Sequence, residues 1–277
     1  MRKLTTLVGI ATALAATSLA PTAGATNYSL WIHGRTGGTP SGWSYWVDGA
    51  GANIAQGVGV NATPVNYDGT QHISVSNSTV VSALNTYCTG SNNCYVQCHS
   101  AGCAQIGYAE AYHPNAWHII FVFTGGSAAG GSELAGNTAY FFTGYNIDQD
   151  LAVSTMRGMY NHDVVGDDIA GYVYNFLGGD WAALTTCIFY GGCAGGGGQN
   201  DSAVSFQSSG HFRTAGTYGS DAAAGSTGGT WWDYSWASSV DTSDKYGHCI
   251  KAAYPCQEGV SGGIMNVVAP VAAYNDH

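Results

Sequence analysis

The sequence predicts an α/β domain in which helices flank a mostly parallel central sheet and long irregular insertions interrupt the regular elements. Short apolar runs alternate with segments of helical character, which is typical of strand-helix-strand units. Residues 117–123 (WHIIFVF) are almost continuously apolar, as in a strand buried on both faces. Residues 94–98 form an apolar-rich run, residues 101–111 have helical character, and the chain must turn sharply between them at residues 99–102 (HSAG).

The predicted elements before this turn follow in chain order. Residues 28–33 (YSLWIH) predict a first strand, and residues 34–38 a loop that contains glycine. Residues 58–67 (VGVNATPVNY) predict a second strand, which ends in the turn signal 68–69 (DG). Residues 73–87 have spaced apolar positions without internal Gly or Pro, and they therefore predict a helix.

The pattern after the strand at 117–123 is looser. Residues 125–136 are rich in Gly, Ser and Ala, residues 150–174 are partly helical in character, and residues 185–190 predict another strand. Residues 214–243 are rich in Gly, Ser, Ala and Trp with little periodicity. We interpret the two irregular stretches as long excursions from the sheet, where binding functions concentrate. No repeat and no second domain is evident.

The amino end has the pattern of a signal peptide. Arg2 and Lys3 precede an apolar stretch at residues 4–20, and the small residues 23–25 (AGA) fit a cleavage site. We therefore expect residues 1–25 to be removed and residues 26–277 to form a single extracellular domain. No later segment has the roughly 18–20 apolar residues of a membrane span, so we expect no stable membrane insertion.

All eight cysteines lie after the predicted leader, in four close pairs. Spacing does not settle their connectivity, because eight cysteines allow about 105 pairings. In an exported chain, disulfides between near neighbours are the simplest interpretation, and zinc is the alternative. Since no pair has the usual zinc-ligand spacing, we predict disulfides and no metal. The pairs are Cys88/Cys94, Cys98/Cys103, Cys187/Cys193 and Cys249/Cys256.

The charge balance narrows the class of partner. Only 9% of residues are charged, and the chain carries 7 basic against 17 acidic side chains, two of the basic ones within the leader. Such a surface repels phosphate backbones and anionic membranes, so we expect neither as a partner. The composition suits a monomeric extracellular protein that acts on a neutral substrate.

The turn at residues 99–102 carries the most specific chemical signal. A serine between a buried strand and a helix, with small neighbours, has the layout of the nucleophile elbow, G-x-S-x-G, of α/β-hydrolases. The tight turn strains the serine backbone and presents its Oγ clear of the sheet. Cys98 stands where the first glycine of the motif is usual, and cysteine is also small and often buried. The pattern predicts Ser100 as a nucleophile.

At five places, in the same order, the sequence resembles secreted bacterial lipases and esterases of the α/β-hydrolase superfamily. The resemblance implies the α/β-hydrolase fold and a serine hydrolase that cleaves small-molecule or polymeric esters through an acyl-enzyme, without a cofactor. The calcium-binding aspartate of those lipases has no clear counterpart, so we predict no calcium. The matching segments are 33–34 (HG), 99–102 (HSAG), 131–135 (GSELA), 200–204 (NDSAV) and 246–248 (YGH).

The resemblance implies Asp201 as the acid and His248 as the base, in the order Ser, acid, His. Ser202 replaces the usual glycine of the acid loop. Asp163 is an alternative acid, because an aspartate followed by two valines is also typical of such loops. His211 is the alternative base, although it follows Asp201 closely.

Acyl transfer also needs donors that face the developing oxyanion. The natural pair is the backbone N–H of Ala101, at the helix start, and that of Arg35, just after His33-Gly34. The resemblance implies that His33 holds this loop. Three tryptophans before His248, at positions 231, 232 and 236, predict a surface for apolar acyl groups or a polymer chain. An equally good interpretation is that Trp231, Trp232 and Trp236 cover the hydrophobic core beneath a loop.

The favoured function is therefore a secreted lipase or carboxylesterase. The alternatives are an extracellular polyester depolymerase of the polyhydroxyalkanoate type, a peptidase or amidase on the same fold, and an inactive hydrolase fold that acts as a binding module. Sequence does not separate lipase from depolymerase, because chain-length preference depends on the shape of the pocket.

Overall fold

The structure, a computed structural model, describes residues 24–37, 61–135, 144–165, 173–177, 203–204, 208–209, 212 and 232–236. Several sequence predictions lie outside these residues: the leader at 1–23, the strand at 185–190, the pairs Cys187/Cys193 and Cys249/Cys256, and the site residues Asp201, His211, Trp231 and His248.

Eight strands are described. In chain order they are β1 (Asn27–Ile32), β2 (Thr36–Gly37), β3 (Asn61–Val65), β4 (Asp68–Gly69), β5 (Asn93–His99), β6 (Ile119–Gly125), β7 (Val173–Leu177) and β8 (Trp232–Trp236). Six of them form one parallel sheet in the order β3-β1-β5-β6-β7-β8, and β2 pairs with β4 in a short antiparallel ribbon. The prediction of a mostly parallel sheet is confirmed for the described part of the chain.

Four α-helices and one 3₁₀ turn accompany the strands. They are α1 (Ile73–Tyr87), α2 (Ala101–Tyr112), α3 (Asn146–Asp150), α4 (Val153–Met159) and the turn His162–Val164. Helix α1 begins and ends where its apolar spacing predicts, because Ile73, Val80 and Leu84 all face the core. Long connections that carry a helix are what allow consecutive strands to run parallel.

The core lies between the sheet and helices α1 and α2. Strands β1 and β5 contribute fully buried side chains, among them Leu30, Ile32 and Val96. The two helices also share a buried polar contact, in which the Asn77 side-chain amide donates to the Gln105 backbone carbonyl at 2.7 Å. These elements place the carboxyl ends of β1 and β5 side by side, with Ile32 opposite Cys98.

Two strands differ from the sequence prediction. Residues 232–236 (WDYSW) were expected within an irregular stretch, but they form β8, with Val173 opposite Trp232. Residues 173–177 were expected partly within a helical segment and form β7 instead. Both runs contain the aromatic residues that strands favour, and 232–236 alternates apolar with polar side chains, so the signal was present in the sequence. Residues 68–69 were expected as a turn and form β4.

The cysteines within the described residues are paired as predicted. Disulfides join Cys88 to Cys94 and Cys98 to Cys103, and no described cysteine is free. Each bridge closes a short loop at one end of β5. A search of the described helices finds none that is both long and apolar enough to cross a membrane.

Candidate active site

The site forms where the chain reverses its direction across the sheet. From β1 the chain moves to β3 on one side, and it then returns to β5 on the other side of β1. In open parallel sheets, ligands bind outside the carboxyl ends of the strands at such a switch point. His33 and Gly34 follow β1 and Ser100 follows β5, so the predicted oxyanion loop and the predicted nucleophile meet there.

Ser100 has the backbone of a strained elbow. Its φ is 53° and its ψ is −125°, which is an unfavourable region for a residue with a Cβ. Backbone bonds hold it there: the Ser100 N–H donates to the Gly125 carbonyl at 3.0 Å, and the Ser100 carbonyl accepts from the N–H groups of Ala128 at 3.0 Å and Cys103 at 3.1 Å. Conformational strain of this kind concentrates at functional sites.

Two glycines let the elbow and the loop after β1 approach each other closely. A Cβ added to Gly34 would lie 2.8 Å from the Ser100 Cβ and 3.3 Å from its Oγ. A Cβ added to Gly102 would lie 2.3 Å from the His33 carbonyl oxygen. The backbone of the loop therefore lies directly against Ser100, and only glycine fits at these two positions.

A disulfide brackets the same turn. Cys98 is the penultimate residue of β5, Cys103 lies in the first turn of α2, and both are fully buried. Their bond ties the strand to the helix across Ser100. Cys98, which departs from the glycine of the elbow motif, therefore has its own structural role in this chain.

The loop after β1 is held by Tyr67. The Tyr67 hydroxyl donates to the backbone carbonyls of His33, at 2.9 Å, and Gly34, at 3.2 Å. The rings of His33 and Tyr67 stack with centroids 4.3 Å apart. Burial raises the pKa of Tyr67, so its phenol stays protonated and remains a donor.

The Gly34–Arg35 peptide is oriented from its carbonyl side. The Gly34 carbonyl accepts from the Tyr67 hydroxyl and lies 2.7 Å from the His33 Nδ1. Because a trans peptide is planar, with its C=O and N–H on opposite sides, the Arg35 N–H points away from these two rings. At the same time, the Ala101 N–H belongs to the first turn of α2 and therefore has no intrahelical acceptor. The Ala101 N–H directly follows the strained serine in the chain, and the Arg35 N–H directly follows Gly34, whose backbone lies against that serine.

The His33 ring is buried between two carbonyls. Its Nε2 lies 2.9 Å from the Tyr67 carbonyl, while Nδ1 faces that of Gly34. Burial lowers the pKa of His33, and the two carbonyls and the charge of Asp68 oppose that shift only in part. The neutral ring donates through one nitrogen at a time, so either carbonyl can be its acceptor.

Arg35 makes a contact that the sequence did not indicate. Its guanidinium binds the Asp148 carboxylate in a fork, through Nε to Oδ1 and through Nη2 to Oδ2 at 2.9 Å. Its Cζ also lies 5.0 Å from the centroid of the Tyr145 ring. Tyr67 and Asp148 are contacts of this loop that sequence reasoning missed, because nothing local links them to the loop.

The loop after β6 binds the segment that follows the predicted acid. The Ser132 Oγ donates to the carbonyl of Ala203 at 2.5 Å, and Ala203 follows Asp201 by two residues. Ser208 donates through Oγ to Glu133 at 2.5 Å and accepts from the Arg157 Nη2 at 3.1 Å. The loop that carries GSELA is thus bound to Ala203, within the NDSAV motif, and to Ser208, just after it.

The alternative acid lies on the surface. Asp163 is exposed in the 3₁₀ turn His162–Val164, where its backbone N–H donates to the Asn161 side chain at 3.1 Å.

Two of the three predicted substrate-binding tryptophans, Trp232 and Trp236, lie at the two ends of β8. Within the described ranges, no group of three or more His, Cys, Asp or Glu side chains could hold a metal ion.

Solved structures resemble the fold of this chain. The mature form of lipase BlEst2 from Bacillus licheniformis is similar with a TM-score of 0.56 at 14% identity, over 89% of this chain and 90% of that one. Its propeptide form is similar with a TM-score of 0.51 at 14% identity, over 66% of this chain and 43% of that one.

This chain has the α/β-hydrolase fold. Identity this low shows the fold and nothing finer. No protein-family model and no curated protein sequence matches the chain. Within this fold, Ser100 after β5 and the loop after β1 lie at the ends of adjacent strands.

Proposed function

We propose that the protein is a secreted, monomeric serine hydrolase that cleaves neutral carboxylic esters through an acyl-enzyme. The observation that carries the proposal is the strained backbone of Ser100, at the switch point of the sheet, with the backbone of Gly34 packed against its side chain. A serine in this conformation is rare in a purely structural turn. The α/β-hydrolase fold supports the same chemistry.

In the proposed mechanism, the Ser100 Oγ attacks the ester carbonyl carbon and its proton passes to His248. The carbonyl oxygen becomes an oxyanion, which the N–H groups of Ala101 and Arg35 stabilise. The tetrahedral intermediate collapses, and His248 returns the proton to the departing alcohol. Water then attacks the acyl-enzyme with His248 again as the base, which releases the acid and restores the serine.

Asp201 is the proposed acid, which orients His248 and stabilises its charged form. The contacts of Ala203, Ser208 and the loop after β6 support this choice, since the Ala128 N–H of that loop also binds the Ser100 carbonyl. Asp163 is a weaker candidate for the acid than Asp201, because Asp163 is exposed and a triad acid is normally buried against its histidine.

We also propose secretion and an aromatic acyl-binding surface. The disulfides at Cys88–Cys94 and Cys98–Cys103 support an oxidising compartment, which agrees with the predicted leader. Trp231, Trp232 and Trp236 are the proposed contacts for the acyl part of the substrate.

The test is hydrolysis of a panel of short-chain, long-chain and polymeric esters by the wild type and by Ser100→Ala. We expect the variant to lose at least about 10⁴-fold in kcat, because it lacks the attacking oxygen, and to keep its thermal midpoint nearly unchanged. A p-nitrophenyl alkylphosphonate should label Ser100 in the wild type. Labelling of another serine, or an active Ser100→Ala variant, would contradict the proposal.

The same assay separates the two acids. Asp201→Asn keeps the size of the side chain but loses the charge that stabilises the imidazolium, and such a change cost about 10⁴ in turnover in a serine protease. We expect a similar loss for Asp201→Asn and a mild effect for Asp163→Asn. The opposite ranking would assign the acid to Asp163 and leave the hydrolase proposal standing.

A further inference from the structure

Helix α3 supplies a carboxylate that binds the loop after β1. Asp148 is 6% exposed, and its two oxygens receive the Nε and Nη2 groups of Arg35. A guanidinium held by both oxygens of a buried carboxylate loses its freedom to rotate, unlike one in an exposed single contact. The Arg35 side chain is therefore fixed relative to α3.

Helix α3 is itself anchored independently of Arg35. The Asp150 carboxylate accepts from the Ile73 N–H at 2.7 Å and lies 3.0 Å from the His72 Nδ1. The Ile147 N–H donates to the Thr70 carbonyl at 3.3 Å. These contacts join α3 to the start of α1, so Asp148 stands on a support that remains when the ion pair is removed.

The position of Arg35 in the chain gives the ion pair its significance. Gly34 has no side chain to fix its conformation, and its backbone lies against Ser100. Tyr67 and His33 hold the Gly34 carbonyl on one side of the peptide. The next fixed group along the chain is the Arg35 side chain. Arg35 therefore carries both the guanidinium bound by Asp148 and the backbone N–H that is the proposed oxyanion donor.

We propose that Asp148 is a positioning residue of the oxyanion hole. By binding the Arg35 guanidinium, it fixes the Arg35 backbone so that its N–H stays directed at the ester oxygen as charge develops. The inference rests on the proposed function. It predicts that loss of the pair weakens the transition state more than the bound substrate, because the donor matters most when the oxygen is negative.

The experiment measures the rate of phosphonylation of Ser100 by a p-nitrophenyl alkylphosphonate, which is monitored through the release of p-nitrophenolate. It also measures kcat and KM on a short-chain ester. In this reaction the Ser100 Oγ gives its proton to His248, the proposed base, and bonds to phosphorus, and p-nitrophenolate leaves, while the phosphoryl oxygen occupies the oxyanion hole. For Asp148→Asn we expect a fall of about tenfold or more in the phosphonylation rate and in kcat, with KM within about twofold of the wild type. Removal of an entire oxyanion donor costs roughly 10²–10³.

Two further variants separate positioning from a general structural effect. Arg35→Gln keeps the backbone N–H but loses the ion pair, so it should show the same loss, and the double variant Arg35→Gln/Asp148→Asn should be no worse than Arg35→Gln alone. Asn85→Ala is the control, because it removes the acceptor of the Trp117 Nε1–H at 2.8 Å near the end of α1, whereas α3 contacts the start of that helix. We expect it to lower the thermal midpoint and to leave the phosphonylation rate within about twofold of the wild type.

The outcomes are distinct. A wild-type rate in Asp148→Asn, or losses that multiply in the double variant, would overturn the role of Asp148 while the proposed function stands. If Asp148→Asn does not fold, Arg35→Gln carries the test, and a wild-type rate in that variant overturns the inference. A wild-type protein that is neither labelled nor active would overturn the proposed function and this inference together.

Discussion

The elbow at Ser100 and the loop after β1 lie against each other, but they are held by different parts of the chain. The elbow is fixed by backbone bonds of Ser100 and by a disulfide between residues five apart in the sequence. The loop is fixed by side chains: the Tyr67 hydroxyl, the His33 ring and the Asp148 carboxylate. Two halves of one site thus depend on different kinds of interaction.

The difference decides how each half can be damaged. Backbone bonds survive most side-chain substitutions, so the elbow should fail only when a substitution forces the backbone itself to move. The loop should instead respond to the loss of single donors and charges, with little change in shape. Three substitutions test this contrast.

The largest effect is expected for Gly102→Ala. The new methyl group would lie 2.3 Å from the His33 carbonyl and 2.5 Å from that of Ile32, so α2 must move away from the end of β1. We expect a loss of about 3 kcal/mol in the free energy of unfolding, measured by urea denaturation, and loss of ester hydrolysis. Gly158→Ala in α4 is the control, because nothing lies within 4 Å of its added Cβ.

For Gly158→Ala, the helix propensity of alanine should raise the free energy of unfolding by up to about 1 kcal/mol. If Gly102→Ala and Gly158→Ala lowered the free energy of unfolding equally, the contact of Gly102 with the carbonyls of Ile32 and His33 would not explain the loss in Gly102→Ala.

A smaller, more selective effect is expected for Tyr67→Phe. The ring still stacks on His33, but the carbonyls of His33 and Gly34 lose their donor. We expect a loss of about 1 kcal/mol in stability and a fall of several-fold in kcat with KM unchanged, since the Gly34–Arg35 peptide is less firmly oriented.

Tyr112→Phe is the matched control for this change. Its hydroxyl also donates to a backbone carbonyl, that of Met159 at 3.3 Å, but at the far end of α2 from Ser100. We expect its kcat to equal that of the wild type. If both phenylalanine variants lose kcat equally, the loop would have no special dependence on Tyr67.

The smallest effect is a pH dependence from His33. Because burial lowers the pKa of His33 in the folded state, the unfolded chain binds more protons as the pH falls through about 6.5. The folded state should therefore lose stability on acidification, by up to about 1 kcal/mol per pH unit between pH 6.5 and the folded-state pKa. Above about pH 7.5 this contribution is constant.

The measurement compares urea unfolding at pH 7.5 and pH 5.5 in the wild type and in His33→Gln. The difference between the two pH values should be smaller in the variant, because glutamine does not titrate. A variant with the full pH dependence of the wild type would assign that dependence to other groups.

Sequence reasoning succeeded where structure is encoded over a short span. Helix α1 was predicted with its observed bounds, and β5, the turn at Ser100 and α2 were predicted to within one residue. In these segments, periodicity, small residues and a sharp turn all indicate the same structure. The pairs Cys88–Cys94 and Cys98–Cys103 were also predictable, because each joins near neighbours.

Reasoning from sequence was less successful where partners are far apart in the chain. Strand β8 is a five-residue element whose stability depends on pairing with β7, and its weak local signal was read as an irregular stretch. Strand pairing depends on cross-strand contacts that a single segment does not contain.

For the site, the sequence by itself indicated the turn at Ser100, the small residues around it and the residues proposed to carry the donors. Only the tertiary structure decided what holds those donors in place. Tyr67 lies 34 residues from His33, and Asp148 lies 113 residues from Arg35. A turn is determined by interactions among adjacent residues, whereas these contacts exist only after the sheet and its helices have brought distant segments together.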